Sequence, residues 1–262
     1  MKKLILTILA SSFLLSCSSD SSNDDSNNPS GNGLLLKTET DYFITPTTIT
    51  YNYNGYKINT IEEPDGSSSS FTYNGDFIIK IENLSEPSTI TMNYLNDLLV
   101  SENQISASGN TFTNITYNSD GSITENNNDS NGNPISRTIR FYSQGNCIKQ
   151  ESYSSTNGLM TLTGTILSTF DNKNSPYKNI TGLYLWCKPL GMNVNNALSI
   201  TSKNADGIVT SVTQFTYQYN SQNYPVSKSR TYIPYTISPG ANGGSFPGVP
   251  GPSTISNTYT YY

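Results

Sequence analysis

The sequence of 262 residues contains no histidine, only three cysteines and a single tryptophan. Histidine is the commonest general base and metal ligand, so Ser-His-Asp and Cys-His catalytic sites are excluded. Charged residues make up only 13% of the chain, and the 14 Lys and Arg residues form no cluster. Binding to phosphate backbones needs such a cluster, so we expect no nucleic acid partner.

Long apolar runs are also scarce, and the longest one, Leu4 to Leu15, follows two lysines at the N-terminus. A membrane-spanning helix needs about 20 apolar residues, so this run predicts a lipoprotein signal peptide over residues 1–16. The stretch Leu14-Leu15-Ser16-Cys17 resembles the bacterial lipobox, in which the cysteine becomes the acylated first residue. The resemblance implies lipidation at Cys17 and a membrane partner through this lipid anchor, because two or more acyl chains anchor stably. A simple secretory signal with an incidental cysteine is the alternative.

Residues 17–33 contain Ser, Asn, Asp, Gly and Pro, with no hydrophobic residue beyond Cys17. Such a composition cannot bury enough apolar surface to fold, so we predict a disordered acidic tether. In enteric bacteria an Asp directly after the lipidated cysteine favours the inner membrane, whereas Ser18 and Ser19 follow here. The location predicted is therefore the outer membrane, on either its periplasmic or its cell-surface face. The acidic tether also resembles the export signals of Bacteroidetes surface lipoproteins.

Residues 34–262 consist largely of imperfect copies of one unit, which is clearest in Phe71 to Ile81. Two β-prone runs flank Asn74-Gly75, and Asn-Gly accepts the positive φ angles of a tight hairpin turn. Each copy has an aromatic anchor, a short turn and an apolar residue about six positions after the anchor. The clearest pairs are Tyr73 to Ile79, Tyr94 to Val100, Tyr117 to Ile123 and Tyr142 to Ile148. Repetition at this spacing indicates repeated supersecondary units.

The strands alternate in polarity, which predicts one apolar face and one polar face. Ile49, Tyr51 and Tyr53 share a face, while the residues between them are Thr and Asn. Short turns make neighbouring strands antiparallel. We therefore predict an all-β fold, a single antiparallel meander of repeated β-hairpins with about 14 to 17 strands and almost no helix. The sheet is expected to be strongly curved or a partial barrel, and its Thr, Asn and Ser face argues against a membrane-embedded barrel.

Two sets of motifs resemble known families. Tyr117 to Gly121 and Asn128 to Ile135 resemble the Tyr-Asp (YD/Rhs-type) hairpin repeat. The lipobox, Thr169 to Tyr177 and the closing Tyr259 to Tyr262 resemble Bacteroidetes lipoproteins with a porin-like or open β-meander fold. These resemblances imply no catalytic residue, and the large toxin shells built from such repeats are far longer than this chain.

Carboxylate groups and one calcium-like loop are the remaining candidates for chemistry. Glu62, Glu63 and Asp65 are the densest acidic group, but adjacent strand residues point to opposite faces, so a solvated turn is favoured. Asn127 to Gly132 matches the first half of an EF-hand loop, yet Thr138 occupies the position of the bidentate Glu, so a hairpin turn is favoured. We predict no catalytic residue, no metal and no cofactor.

Three further features could form binding or stabilising sites. Cys147 and Cys187 could form a disulfide, because the compartment permits one, or could remain two buried thiols. Trp186 and the tyrosines could stack on sugars, although packing across strands is favoured. The run from Ser238 to Ser253 is rich in Gly and Pro and predicts a long loop between strands. Its Phe246 and Val249 make it a candidate binding loop, and an idle insertion is the alternative.

The function predicted is that of a non-enzymatic cell-envelope lipoprotein acting as a binding or structural β-repeat module. One alternative is a surface glycan-binding module of a polysaccharide-utilisation system, which needs several Tyr or Trp rings exposed together. A carboxylate-dependent hydrolase is a third possibility, which needs two converging acidic side chains in a cleft. The partners expected, besides the membrane, are a glycan or an envelope protein.

Overall fold

The computed structural model describes residues 33–42, 45–235 and 253–262. The signal peptide, most of the tether, Cys17 and the loop residues Phe246 and Val249 lie outside the described residues. The predictions made for them therefore stay predictions.

The described residues form sixteen strands and one short helical segment. The first eight strands are β1 (Leu36–Asp41), β2 (Thr47–Asn54), β3 (Lys57–Glu62), β4 (Ser68–Asn74), β5 (Phe77–Asn83), β6 (Ser88–Leu95), β7 (Leu98–Ser106) and β8 (Gly109–Tyr117). The last eight are β9 (Ile123–Asp129), β10 (Pro134–Ser143), β11 (Asn146–Thr156), β12 (Leu159–Phe170), β13 (Ala197–Asn204), β14 (Val209–Tyr219), β15 (Pro225–Pro234) and β16 (Ser253–Tyr261). Helix α1 (Leu183–Cys187) and a 3-10 turn (Lys188–Leu190) lie between β12 and β13.

Each strand pairs with its neighbours in sequence, and the first strand pairs with the last. Thr38 lies opposite Thr260 and Asp41 opposite Asn257, so β1 and β16 close the sheet into a complete antiparallel barrel. The predicted all-β antiparallel meander of hairpins is confirmed, but the prediction of an open sheet or partial barrel is corrected. Closure depends on the twist and stagger of all the strands together, and the residue pattern of a single hairpin does not specify this total.

A β-bulge recurs beside the aromatic anchor of the repeat. Tyr73 lies opposite Ile78, and Thr72 opposite Lys80, so Ile79 is an extra residue between the two pairs. The extra residue lets Ile78 and Ile81, three positions apart, both become buried inside the barrel. Bulges at the same place accompany Tyr53, Tyr94, Tyr142 and Tyr219. The alternation fails in the sequence from Ile135 to Tyr142, which predicts a bulge or a shifted register in that strand. The register does shift there, but the extra residue, Ile148, lies on the partner strand β11.

The hydroxyl groups of these inward tyrosines tie neighbouring hairpins together. The bonds run from Tyr53 to Leu36 O (2.7 Å), Tyr94 to Ile78 O (2.9 Å), Tyr117 to Leu99 O (3.2 Å), Tyr217 to Ala197 O (3.0 Å) and Tyr261 to Pro225 O (2.7 Å). In one further case the Tyr73 hydroxyl accepts a hydrogen bond from Ile58 N at 3.0 Å. The rings thus bury their apolar faces while each polar tip is satisfied.

The hairpin predicted at Asn74-Gly75 is present, but its two loop residues are Gly75 and Asp76, one position later than predicted, because Asn74 pairs with Phe77 as the last residue of β4. Gly75 is the first of the two loop residues and has a φ of 56°. A glycine at that position suits the tight two-residue turns that match the twist of the flanking strands.

The apolar core lies toward one end of the barrel, which we call the plug end. The β12–β13 connection, the start of β1 and the end of β16 lie at this end. So do the turns β2–β3, β4–β5, β6–β7, β8–β9, β10–β11 and β14–β15. The opposite end, with the remaining turns, is called the open end. No helix in the described part of the chain is long and apolar enough to cross a membrane.

Candidate functional site: the plugged lumen of the barrel

Residues 171–196, which connect β12 to β13, fold into the plug end of the barrel, and we call them the plug. Tyr177, Ile180, Leu183, Trp186 and Met192 are buried there against the inward side chains of the strands. The plug therefore supplies much of the core that the strands alone would leave open.

Two glycines define the helical part of the plug. Gly182, with a φ of 78°, immediately precedes α1, and Gly191, with a φ of 108°, ends the 3-10 turn. A Cβ atom on Gly182 would lie 2.4 Å from the carbonyl oxygen of Asp76 in the β4–β5 turn. Only glycine permits both the positive φ and this close approach.

The plug contacts turns on several sides of the barrel. Thr181 N donates to Tyr56 O at 2.9 Å in the β2–β3 turn, and Asn195 N donates to the Asn146 side chain at 3.0 Å near the β10–β11 turn. Asn179 Nδ2 donates to the Tyr224 hydroxyl at 2.8 Å beside the β14–β15 turn. Contacts distributed in this way fix the plug relative to the whole end of the barrel.

Two acidic side chains on the lumen wall hold the plug from inside. Glu102 on β7 accepts a hydrogen bond from Trp186 Nε1. Burial raises the pKa of Glu102 to about 7, and the negative charge of Glu125 adds to this, while the Trp186 hydrogen bond acts in the opposite direction. The Trp186–Glu102 contact thus couples the plug to a carboxyl group that titrates near neutral pH.

Arg140 on β10 links the other acidic side chain to the plug. Its Nη1 lies 2.5 Å from Glu125 Oε2 and donates to Pro189 O at 2.8 Å. Its Nε donates to Gln150 Oε1 at 3.1 Å. This buried guanidinium is paired with a carboxylate and hydrogen-bonded to two further groups, as a buried charge needs to be.

A third acidic side chain, Glu39, joins the plug to the opposite wall. Its Oε2 accepts from the Tyr177 hydroxyl at 2.6 Å, and its Oε1 lies 3.8 Å from Lys228 Nζ. Asn257 Nδ2 donates to the same carboxylate at 3.4 Å. The lumen wall next to the plug is therefore polar and charged, and its carboxylates serve to position plug residues.

The residues singled out from the sequence are not brought together by the fold. Cys147 and Cys187 are both buried thiols, and no disulfide joins them. Trp186 is only 4% exposed, so its ring is not available for stacking on a sugar. It packs in the core, as the sequence analysis favoured.

The acidic candidates lie in turns or at the end of the strand beside a turn, close to the alternative that the sequence favoured. Asp65 accepts a hydrogen bond from Ser67 N at 2.9 Å, and Glu62 is exposed. Asp129 Oδ1 accepts from the backbone of Asn131 and Asn133 at 2.9 and 2.8 Å, so it closes a hairpin turn. Among the described residues no group of three Cys, Asp or Glu side chains lies close enough to hold a metal.

The plug was missed by the sequence analysis, although a signal for it was present. The segment after Phe170 has Pro176, Pro189 and two glycines instead of a short turn. A stretch that long between strands indicates either function or a substructure of its own.

The outward face of the barrel is polar. Hydroxyl and amide side chains bond across strands at Thr38–Thr260 (2.6 Å), Thr40–Thr48 (2.9 Å), Asn93–Ser101 (3.1 Å) and Thr169–Ser199 (2.7 Å). Charged pairs also lie on outward positions within strands, namely Lys80–Glu82 at 2.6 Å and Lys149–Glu151 at 2.8 Å. The exposed large apolar side chains lie mostly beside turns, such as Leu95, Leu98, Leu159 and Ile208. Outward apolar residues within strands, such as Phe141, Leu167 and Val212, lie mainly on β10 to β15, so no continuous apolar band surrounds the described strands.

Two solved structures share this fold. A porin-like protein from Bacteroides uniformis superposes with a TM-score of 0.59 at 12% identity, covering 87% of this chain and 96% of that one. A porin-like protein from Bacteroides vulgatus gives a TM-score of 0.56 at 13% identity, covering 88% and 99%. No known protein family and no curated protein sequence matches the chain. The expected porin-like fold is thus confirmed, whereas the Tyr-Asp repeat resemblance gains no support.

Proposed function

We propose that this protein is a lipid-anchored, non-enzymatic binding protein of the bacterial outer envelope, whose barrel stands in water. The carrying observation is the outward face of Thr, Ser, Asn and charged pairs. A barrel in lipid needs an outward apolar band, and a Lys or Arg at the bilayer midplane costs about 2–4 kcal/mol. The Bacteroides neighbours support an envelope location through their fold.

Strand length supports the same proposal. Strands β1 to β6 contain six to eight residues each, whereas a tilted transmembrane strand needs about 9–11. This side of the barrel is too short to span the hydrocarbon layer. The anchor would then be the acyl chains on Cys17, joined to the barrel by the tether of residues 17–33.

The plug supports a binding role over transport. It fills the plug end and is bonded to the β2–β3, β10–β11 and β14–β15 turns. In the described residues the barrel has the form of a cup that is closed at the plug end and lined by inward polar side chains toward the open end. Ligand sites are concave and largely pre-formed, with a few placed polar groups that fix the orientation of the ligand.

Cell fractionation tests the anchor and the environment of the barrel together. The full chain should stay with the outer membrane and dissolve only in detergent. A matched chain, in which a cleavable secretory signal without a lipobox replaces residues 1–17, should appear in the soluble fraction with a β-type circular dichroism spectrum.

Two results would contradict the proposal. The first is a lipid-free chain that folds only in detergent or lipid, as a membrane-embedded barrel would. The second is wild-type protein without acyl chains by mass spectrometry. Ion conductance across a planar bilayer by the full chain would separately contradict the closed cup.

A further inference from the structure

One sector of the lumen wall, formed by β14 and β15, differs from the rest. Inward positions of β15 are Lys228, Arg230 and Tyr232, in order from the plug toward the open end. Arg230 lies opposite Phe215 on β14 and Ile255 on β16, and Ile255 is buried inside the barrel. The alternation of the strand therefore directs the Arg230 side chain into the lumen.

Arg230 lacks the partners that the other inward arginine has. Arg140 binds Glu125, Gln150 and a plug carbonyl, whereas no ion pair or hydrogen bond joins Arg230 to another described residue. Arg230 is nevertheless half-buried. A guanidinium has five donors in a fixed planar fork, which matches a carboxylate in two parallel hydrogen bonds.

A second cation lies deeper on the same strand. Lys228 is two positions away and points to the same side of the sheet. Its contact with Glu39 is long, at 3.8 Å, and Glu39 is shared with Tyr177 and Asn257. Asp41 faces the same sector from β1, where its Oδ2 accepts a hydrogen bond from Asn257 Nδ2 at 3.2 Å, so Glu39 and Asp41 together offset the charge of Lys228. Arg230, nearer the open end, is the cation of this sector that has no carboxylate partner among the described residues.

Aromatic rings flank the unpaired guanidinium. Phe215 lies across from Arg230, and its ring is nearly parallel to that of Tyr217 at a centroid distance of 6.5 Å. Tyr232 is the next inward residue toward the open end and is 43% exposed. Aromatic faces of this kind bind flat, partly apolar groups such as the faces of sugar rings.

We propose that this sector binds a carboxylated sugar, with the carboxylate on Arg230 and the ring face on Phe215 and Tyr232. The polar wall beside this sector offers partners to the sugar hydroxyls. The inference rests on the proposed envelope binding function and specifies its ligand class. It gives a role to an inward arginine that has no partner among the described residues.

Isothermal titration of the full chain in mild detergent tests the proposal, with trigalacturonic acid as the probe and its methyl ester as the matched neutral probe. Loss of a charge-assisted pair weakens binding about tenfold or more. We expect the wild type to bind the acid at least tenfold more tightly than the ester. Arg230→Gln should abolish that preference, while Arg230→Lys should retain part of it.

Two further variants separate the carboxylate contact from stacking and from bulk charge. Phe215→Leu should weaken binding of both probes. Lys203→Gln, which removes a cation from β13 on the outward face, should change neither. Circular dichroism melting of each variant identifies any that fail to fold, and the conservative Arg230→Lys then provides the comparison.

The proposal is overturned if the wild type binds neither probe, if acid and ester bind equally, or if Arg230→Gln retains the preference for the acid. An equal loss in Lys203→Gln would show that overall charge alone is responsible, which also overturns it. These outcomes are distinct from failure of the proposed function. If the chain fractionates as a water-facing lipoprotein but binds no uronate, only this ligand assignment is refuted.

Discussion

Replacement of Gly182 by alanine should loosen the plug, and Gly207→Ala provides a matched control. Both glycines have a φ of 78°, so an alanine at either position lowers the free energy of unfolding by the same cost of a left-handed backbone, about 1–2 kcal/mol. A Cβ on Gly207 meets nothing within 4 Å, whereas a Cβ on Gly182 lies 2.4 Å from Asp76 O and 3.2 Å from the Tyr73 ring. Overpacking of this kind costs about 1–3 kcal/mol more.

Thermal unfolding and tryptophan fluorescence measure this difference. Because 1 kcal/mol shifts the midpoint of a domain this size by about 2–4 °C, Gly182→Ala should melt about 2–12 °C below Gly207→Ala. Trp186 is the only tryptophan and is buried in the plug, so its emission should shift to the red in Gly182→Ala alone. Equal melting temperatures and equal emission spectra would refute the close contact between the plug and the β4–β5 turn.

Four other changes have defined outcomes. Gly75→Val places a β-branched residue at positive φ and should cost about 1–3 kcal/mol; an unchanged urea midpoint would refute this. The raised pKa of Glu102, about 7 against 4.5 unperturbed, means that the folded state binds a proton that the unfolded chain releases. Stability should therefore fall by at most about 3 kcal/mol as pH rises from about 5 to 7, and Glu102→Gln should flatten that slope. Shortening Ser238 to Ser253 to Asn-Gly should preserve thermal stability, and should remove binding to envelope extracts if Phe246 and Val249 recognise a partner. Cys17→Ala should leave the chain unlipidated by mass spectrometry.

The hairpins were predictable from the sequence because their determinants are local. Turn residues such as Asn74-Gly75 and the alternation in Ile49 to Tyr53 specify a strand pair within about ten residues. A bulge or shifted register was predicted only near Tyr142, where the alternation of apolar and polar residues fails in the sequence. In the repeats of Tyr73, Tyr94 and Tyr142 the extra residue is itself apolar, namely Ile79, Val100 and Ile148, so the apolar pattern did not reveal which residue forms the bulge.

Closure and the plug were not predictable because they depend on distant contacts. The pairing of Leu36–Asp41 with the last strand joins the two ends of the sheet, and many sequences with the same alternation would form open sheets. The plug residue Tyr177 meets Glu39, and Trp186 meets Glu102, each far away in the chain. Arg230 looked like an ordinary strand residue, and only the barrel shows that it faces the lumen without a described partner.

The environment of the outward face is tested most directly by spin labels on the full chain in outer-membrane lipid. Thr72 on β4 and Thr216 on β14 are exposed outward positions in widely separated strands. A nitroxide on a cysteine at either position should collide readily with a water-soluble nickel complex and should show no enrichment of oxygen. Protection from nickel together with high oxygen accessibility at both positions would place the barrel in lipid and contradict the account.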